Sequence, residues 1–174
     1  DTSLQNAVTA TTAASVAVCK AIEKLTDLKP KIKWVNDVYL NGKKVCGILT
    51  EATTDFESGI VDSVIIGIGI NISTTKFPGD VEGAGCLDVD INRSALIAET
   101  VNELMNIAGG DYASFIEYYR SHSMVIGEKI KFIQNGKTTF ATALAIDERG
   151  GLEVGLESGE KTVLRSGEIT VRKV

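Results

Sequence analysis

The sequence predicts an α+β protein: a mixed sheet flanked by helices, followed by a small all-β unit. Three observations predict it. Apolar residues recur at helical spacing over about residues 3–26 and again after Asn92. Between these stretches lie β-type runs, one interrupted by Asn41-Gly42 and one, Val64 to Ile72, almost wholly β-branched or glycine. After Gly127 the chain breaks into short β-type segments separated by glycine-bearing pairs, the pattern of a small barrel.

The elements follow in order. Thr2 and Gln5 stand three apart ahead of the first helix, as in a capping box. Leu4, Val8, Ala14, Val18, Ile22 and Leu25 then make an amphipathic face rich in small neighbours, and Pro30 marks its end. Lys31 to Leu40 alternates and meets Asn41-Gly42, two residues that tolerate positive φ and so favour a hairpin. Val45–Thr50 is the return strand, Glu51–Gly59 a polar loop, and Val64–Ile72 a buried strand. Thr74–Asp88 is too long for a plain connection, which favours a functional loop. Asn92 caps a second helix carrying Leu96, Val101, Leu104 and Met105, and Gly109-Gly110 stops it. Asp111 opens a third, short helix to about Arg120. Strands are expected at 129–133, 138–146, 152–156, 162–164 and 169–172. A boundary near Ser123–Gly127 divides the chain into units 1–124 and 125–174. The second unit is small enough to need support from the first.

Composition excludes several functions. The 174 residues carry a net charge of −5, against the basic balance that phosphate-backbone binding needs, so no nucleic acid is expected to bind through this chain. Three cysteines, one histidine and no C-x-x-C pair exclude a zinc site or a disulfide framework, and free thiols suit a reducing cytoplasm. No apolar run is long enough to cross a bilayer, and no signal-peptide pattern opens the chain. The first residue is Asp1, at a helix-capping sequence, which leads us to expect a piece of a longer protein.

Three segments can carry chemistry. Lys33-Trp34-Val35-Asn36-Asp37 is a strand end with a core tryptophan before an Asn-Asp turn. In Lys43 to Glu51, Lys44 enters an otherwise mostly apolar strand, so its cation can be aimed across the sheet at an anion. Gly67-Ile68-Gly69-Ile70-Asn71 alternates glycine in a buried strand; this weakens a strand but lets a ligand lie flat on the backbone. Tight helix-on-sheet packing is the competing explanation. The segment is not a dinucleotide fingerprint, because the third glycine is absent. His122 reads as structural or solvated, and the acidic residues show no paired spacing.

In this order and spacing, KWVND at 33–37, KKVCGILTE at 43–51 and GIGIN at 67–71 resemble the biotin protein ligase family. SGEITVR at 166–172 resembles the closing strand of that family's SH3-like end domain. The resemblance implies a class II synthetase-like catalytic fold with an SH3-like barrel. It implies that biotin and ATP, the latter with Mg2+, form biotinyl-5′-adenylate, and that biotin then passes to a lysine of a carboxylase carrier domain. Lys44 matches the essential lysine and Asp37 the acid that orients the site or deprotonates the acceptor amine. Gly47, Ile48, Gly67 and Gly69 match positions along the biotin; Asn71, Glu168 and Arg172 match nucleotide-side positions. A homodimer remains open. Val35 departs from the family's proline. The family's glycine/arginine-rich anion-binding loop has no counterpart among these residues, so the polypeptide alone is expected to be nearly inactive. A lipoate or octanoyl transferase, a non-catalytic ligand-binding module and an adenylate-responsive regulator are the competing readings.

Overall fold

The fold is taken from a computed structural model, which describes residues 4–54, 61–74, 76–78, 83–110, 112–134, 136–165 and 170–173. The elements are α1 (Leu4–Leu25), β1 (Lys31–Lys33), β2 (Asp37–Leu40), β3 (Lys43–Thr54), β4 (Val61–Ile70), α2 (Arg93–Ala108) and α3 (Tyr112–His122), then β5 (Lys129–Gln134), β6 (Lys137–Ile146), β7 (Leu152–Leu156), β8 (Lys161–Leu164) and β9 (Thr170–Lys173). Four strands form a sheet in the order β1-β2-β3-β4, and five form a second in the order β8-β7-β6-β5-β9. Every strand pair in both is antiparallel. The mixed character expected of the first sheet enters only as two isolated parallel bridges, Ile32 to Ser123 and Lys44 to Ala84.

Local chemistry accounts for most boundaries. Asn41 and Gly42 take φ of 50° and 77° and close the β2–β3 hairpin, as their tolerance of positive φ predicts. Asn92 caps α2, its side-chain oxygen accepting from the Ala95 amide at 3.0 Å. Two expectations need correction. The expected loop from Glu51 begins as strand: Glu51, Ala52 and Thr53 pair with Ile65, Val64 and Ser63, because a long partner strand satisfies their backbone whatever their side chains. Residues 55–60 lie outside the described part. The first helix is not one-faced either. Residues 11–19 are buried all round, as a helix enclosed on every side must be. It packs on β2, β3 and β4 on one side and on α2 and α3 on the other.

The core is continuous. Val16, Val18 and Ile22 of α1, Ile32, Val38 and Ile48 of the first sheet, Trp34 of the turn between β1 and β2, and Ile130, Ile146 and Leu152 of the second sheet belong to one buried cluster. Each such fully buried aliphatic side chain contributes roughly 1.5–3 kcal/mol. Polar ties reinforce it: the Met124 amide, between α3 and β5, donates to Ile32 O of β1 at 2.9 Å, and Arg120 Nε of α3 donates to Ile146 O of β6 at 2.7 Å. The five-stranded unit is thus supported by the rest of the chain. Among the described residues, no helix is long and apolar enough to cross a membrane.

Candidate functional site

The first sheet has two unlike faces, set by the two-residue period of its strands. Cys46, Ile48, Thr50, Ile66, Ile68 and Ile70 turn inward. Gly47, Leu49 and Glu51 turn outward opposite Gly69, Gly67 and Ile65. The outer face therefore has a strip of bare backbone at Gly47, Gly67 and Gly69. Beside the strip stand two apolar side chains in water, Leu49 (62% exposed) and Ile65 (59%).

Asp37 continues the strip on β2, directly across from Gly47. A register shift between Val38 and Tyr39 brings Lys44 opposite Tyr39, and the lysine reaches back so that Nζ lies 2.5 Å from Asp37 Oδ1. Its path crosses Gly47: a Cβ there would lie 3.3 Å from both Lys44 Cε and Nζ. The glycine leaves the space the lysine occupies. Asp37 Oδ1 is shut off from water and has no aligned hydrogen bond, so the lysine meets it as a charge contact. Lys44 itself remains 41% exposed, open to a ligand on this face. Burial, with the Asp37 charge adding and Lys44 opposing, pushes the neighbouring Cys46 thiol up to about 12.

The turn that delivers Asp37 is held on several sides. The Val35 carbonyl accepts from Tyr119 Oη at 3.1 Å and Ser15 Oγ at 3.5 Å. Asn36 donates from Nδ2 to Ile48 O at 2.8 Å and accepts from the Ile48 amide at 2.9 Å. Trp34 is buried and donates its indole N–H to Gly150 O at 2.9 Å. Lys33 lies over the Tyr39 ring, 5.7 Å from its centroid. The Lys44 backbone is fixed too: its amide donates to Gly83 O at 2.7 Å and its carbonyl accepts from the Gly85 amide at 2.8 Å. The expected functional loop thus runs beside the lysine.

The structure brings Lys44, Asp37, Gly47, Gly67 and Gly69 to one surface. It does not bring Ile48 there: that side chain is 2% exposed on the inner face and its amide and carbonyl both bond Asn36. Leu49 takes the outward position, and the alternation starting from Gly47 was the signal that could have found it. Asn71 sits at the end of β4, but its Nδ2 donates to Gly85 O at 2.9 Å and its carbonyl accepts from the Leu87 amide, so it ties down the loop beside Lys44. Glu168 lies outside the described residues. Arg172 lies on β9 opposite Lys131. The contacts of Ser15 and Tyr119 had no sequence signal. His122 is structural: its ring stacks on Tyr118 at 3.8 Å and its Nε2 lies 3.6 Å from Glu23. Among the described residues, no cluster of three or more His, Cys, Asp or Glu could hold a metal ion.

Comparison with known proteins gives two family matches. The biotin/lipoate A/B protein ligase family matches residues 2–71, and the biotin protein ligase C-terminal domain matches residues 125–172. The bifunctional ligase/repressor BirA of Bacillus subtilis is 30% identical over 174 residues, covering 94% of this chain and 53% of that protein. The biotin–[acetyl-CoA-carboxylase] ligase of Mycobacterium tuberculosis is 26% identical, covering 90% of this chain and 60% of its own length. The chain spans about half the length of the curated relatives it matches. The apo biotin protein ligase of Aquifex aeolicus shares the fold with a TM-score of 0.84 at 24% identity, over 98% of this chain and 77% of that one. The same enzyme in complex with biotin and ATP gives 0.77 at 23% identity, over 96% and 72%. With both domain families matched in order along one continuous fold, the chain belongs to the biotin protein ligase family.

Proposed function

We propose that the outer face of the first sheet binds biotin and that the parent activity is ATP-dependent biotinylation of a carboxylase carrier domain. The observation that carries this reading is the Lys44 cation lying over a glycine-bare, partly apolar sheet face. A compact bicycle with a hydrogen-bonding ureido ring and an apolar sulfur-bearing ring suits the bare backbone at Gly47, Gly67 and Gly69 beside Leu49. A carboxylate at the end of its chain suits the Lys44 ammonium. In the first step a biotin carboxylate oxygen attacks the α-phosphorus of ATP, the bond to the β-phosphate breaks, and pyrophosphate leaves. Two anions meet, so a fixed cation at that point lowers the barrier. In the second step the acceptor lysine nitrogen attacks the acyl carbon and AMP leaves. Asp37 holds Lys44 in place and is the carboxylate available to take a proton from the amine.

The nucleotide side is assigned more coarsely. Glu168 and Arg172 are proposed to approach it from the barrel, and Asn71 to shape it through the loop at Gly85. Lys44, already paired with Asp37, is little for a triphosphate, so these 174 residues by themselves are expected to be nearly inactive. A chain extended by a glycine/arginine-rich anion-binding loop is expected to be active. The test is biotin-dependent release of pyrophosphate and labelling of a carrier domain by both polypeptides, with Lys44→Ala in each. Activity in the extended chain that falls at least about 100-fold on Lys44→Ala supports the reading. Full activity in Lys44→Ala, or displacement of biotin by an equal concentration of lipoate, contradicts it.

A further inference from the structure

The turn between β6 and β7 is built with unusual redundancy for a surface turn. Asp147 Oδ1 accepts from the Arg149 and Gly151 amides, both at 2.8 Å, and Oδ2 accepts from Arg165 Nη2 at 2.6 Å. The Asp147 amide donates to Gly151 O at 2.9 Å. The turn is confined on the outside as well. A Cβ on Gly151 would meet Arg165 Nη1 at 2.6 Å and Val163 Cγ1 at 2.7 Å, and one on Gly150 would meet Thr12 of α1 at 3.1 Å. Gly150 adopts φ of 80°, which other side chains rarely take. Arg120 of α3 holds the Ile146 carbonyl at the mouth of the turn.

A hydrogen bond carries this construction toward the candidate site. The Gly150 carbonyl accepts the indole N–H of Trp34, 116 residues earlier in the chain. Trp34 is the first buried residue of the strap Trp34-Val35-Asn36-Asp37. A buried indole N–H or carbonyl left without its partner is costly, so the turn fixes where the strap begins. Two residues further on, Asn36 brackets Ile48, and the next residue meets Lys44.

We propose that Asp147 is a positioning residue for the Asp37–Lys44 pair, acting through the Gly150 carbonyl and the Trp34 indole. The end domain then does more than close the molecule: it sets the register of the strap from outside the sheet. What the strap does once positioned rests on the ligase reading; the coupling itself does not.

Trp34 is the only tryptophan, so its indole N–H gives a single resonance and a direct readout. The experiment measures hydrogen exchange of that indole and of the Ile48 amide, and biotin affinity, in the whole chain. Asp147→Ala is expected to speed both exchange rates about tenfold or more and to weaken biotin binding by a similar factor. Amides at the far end of the β3–β4 ladder should keep their rates. Asp147→Asn retains an oxygen for the two turn amides and should stay within about twofold of the wild type. Trp34→Phe, which keeps a ring and loses the donor, should speed Ile48 exchange in the same way and gives a second route if Asp147→Ala does not fold. Unchanged exchange at Trp34 and Ile48 in Asp147→Ala, or an equal rise at every amide, would overturn the proposal. Absence of biotin binding by the wild type would sink the ligase reading alone, because the exchange arm needs no ligand.

Discussion

Gly47→Ala separates stability from function at the centre of the site. The ideal Cβ at position 47 lies 3.3 Å from both Lys44 Cε and Nζ and 4.0 Å from Asp37 Oδ1. Contacts of 3.3 Å force the flexible lysine to move by a few tenths of an ångström, and the methyl also stands on the strip proposed for biotin. Gly47 is not among the positive-φ glycines, so alanine meets no backbone strain there. The stability change should therefore stay within about 1 kcal/mol, with lost chain entropy in the unfolded state offsetting part of the displacement. A shift of a few tenths of an ångström in the half-exposed Lys44 leaves its charge contact with Asp37 formed, so that figure does not change greatly. Function is far more sensitive, because misplacing a reacting group by about 1 Å costs on the order of 100-fold in rate. We expect urea denaturation to give nearly the wild-type midpoint while biotin affinity, and adenylate formation in the extended chain, drop about 10- to 100-fold. Wild-type affinity and rate in a folded Gly47→Ala protein would refute the reasoning that Lys44 is placed across Gly47 for function.

Other expectations follow from the same contacts. Gly67→Ala and Gly69→Ala meet only backbone oxygens at 3.6 and 3.8 Å as their nearest neighbours, so thermal unfolding should change little while titration with biotin shows weaker binding. Tyr119→Phe removes the donor to the Val35 carbonyl and should cost about 1–2 kcal/mol in chemical denaturation. Burial works against the Asp147 charge, but hydrogen bonds from Arg165, Gly151 and Arg149 outweigh it and lower its pKa. Its contribution to stability is thus complete above the ordinary carboxylate range and is lost as pH falls through the lowered value; acid unfolding curves of wild type and Asp147→Asn should converge there. Cys19 and Cys46 are buried with raised pKa values while Cys86 is partly exposed, so a thiol reagent should label Cys86 first and the other two only on unfolding, read by mass spectrometry.

Much of this was legible because local chemistry dictated it. Asn41-Gly42 could close only a hairpin, Asn92 was placed to cap, and the glycine-bearing pairs beyond Gly127 spaced the barrel strands within a residue of where they lie. Lys44 announced itself by being a cation in an apolar strand. Other features depended on partners distant in the chain. Thr53 looks like loop until Ser63 pairs with it. Alternation alone separates Ile48 from Leu49, but which of them faces outward depends on which face α1 covers. Asn71 carries an amide suited to a ligand, and only the fold shows Gly85 taking it. The ties from Tyr119 and Gly150 to the strap span 84 and 116 residues, and no periodicity encodes such contacts.

The outer sheet face, with Lys44 over Gly47, is the proposed biotin site. Amide chemical-shift mapping of the isotope-labelled chain during biotin titration tests it most directly. Shifts should concentrate at Lys44, Gly47, Leu49, Gly67 and Gly69 and be weakened or abolished by Lys44→Ala. Shifts centred on the barrel or on α2, or the same pattern persisting unchanged in Lys44→Ala, would contradict it.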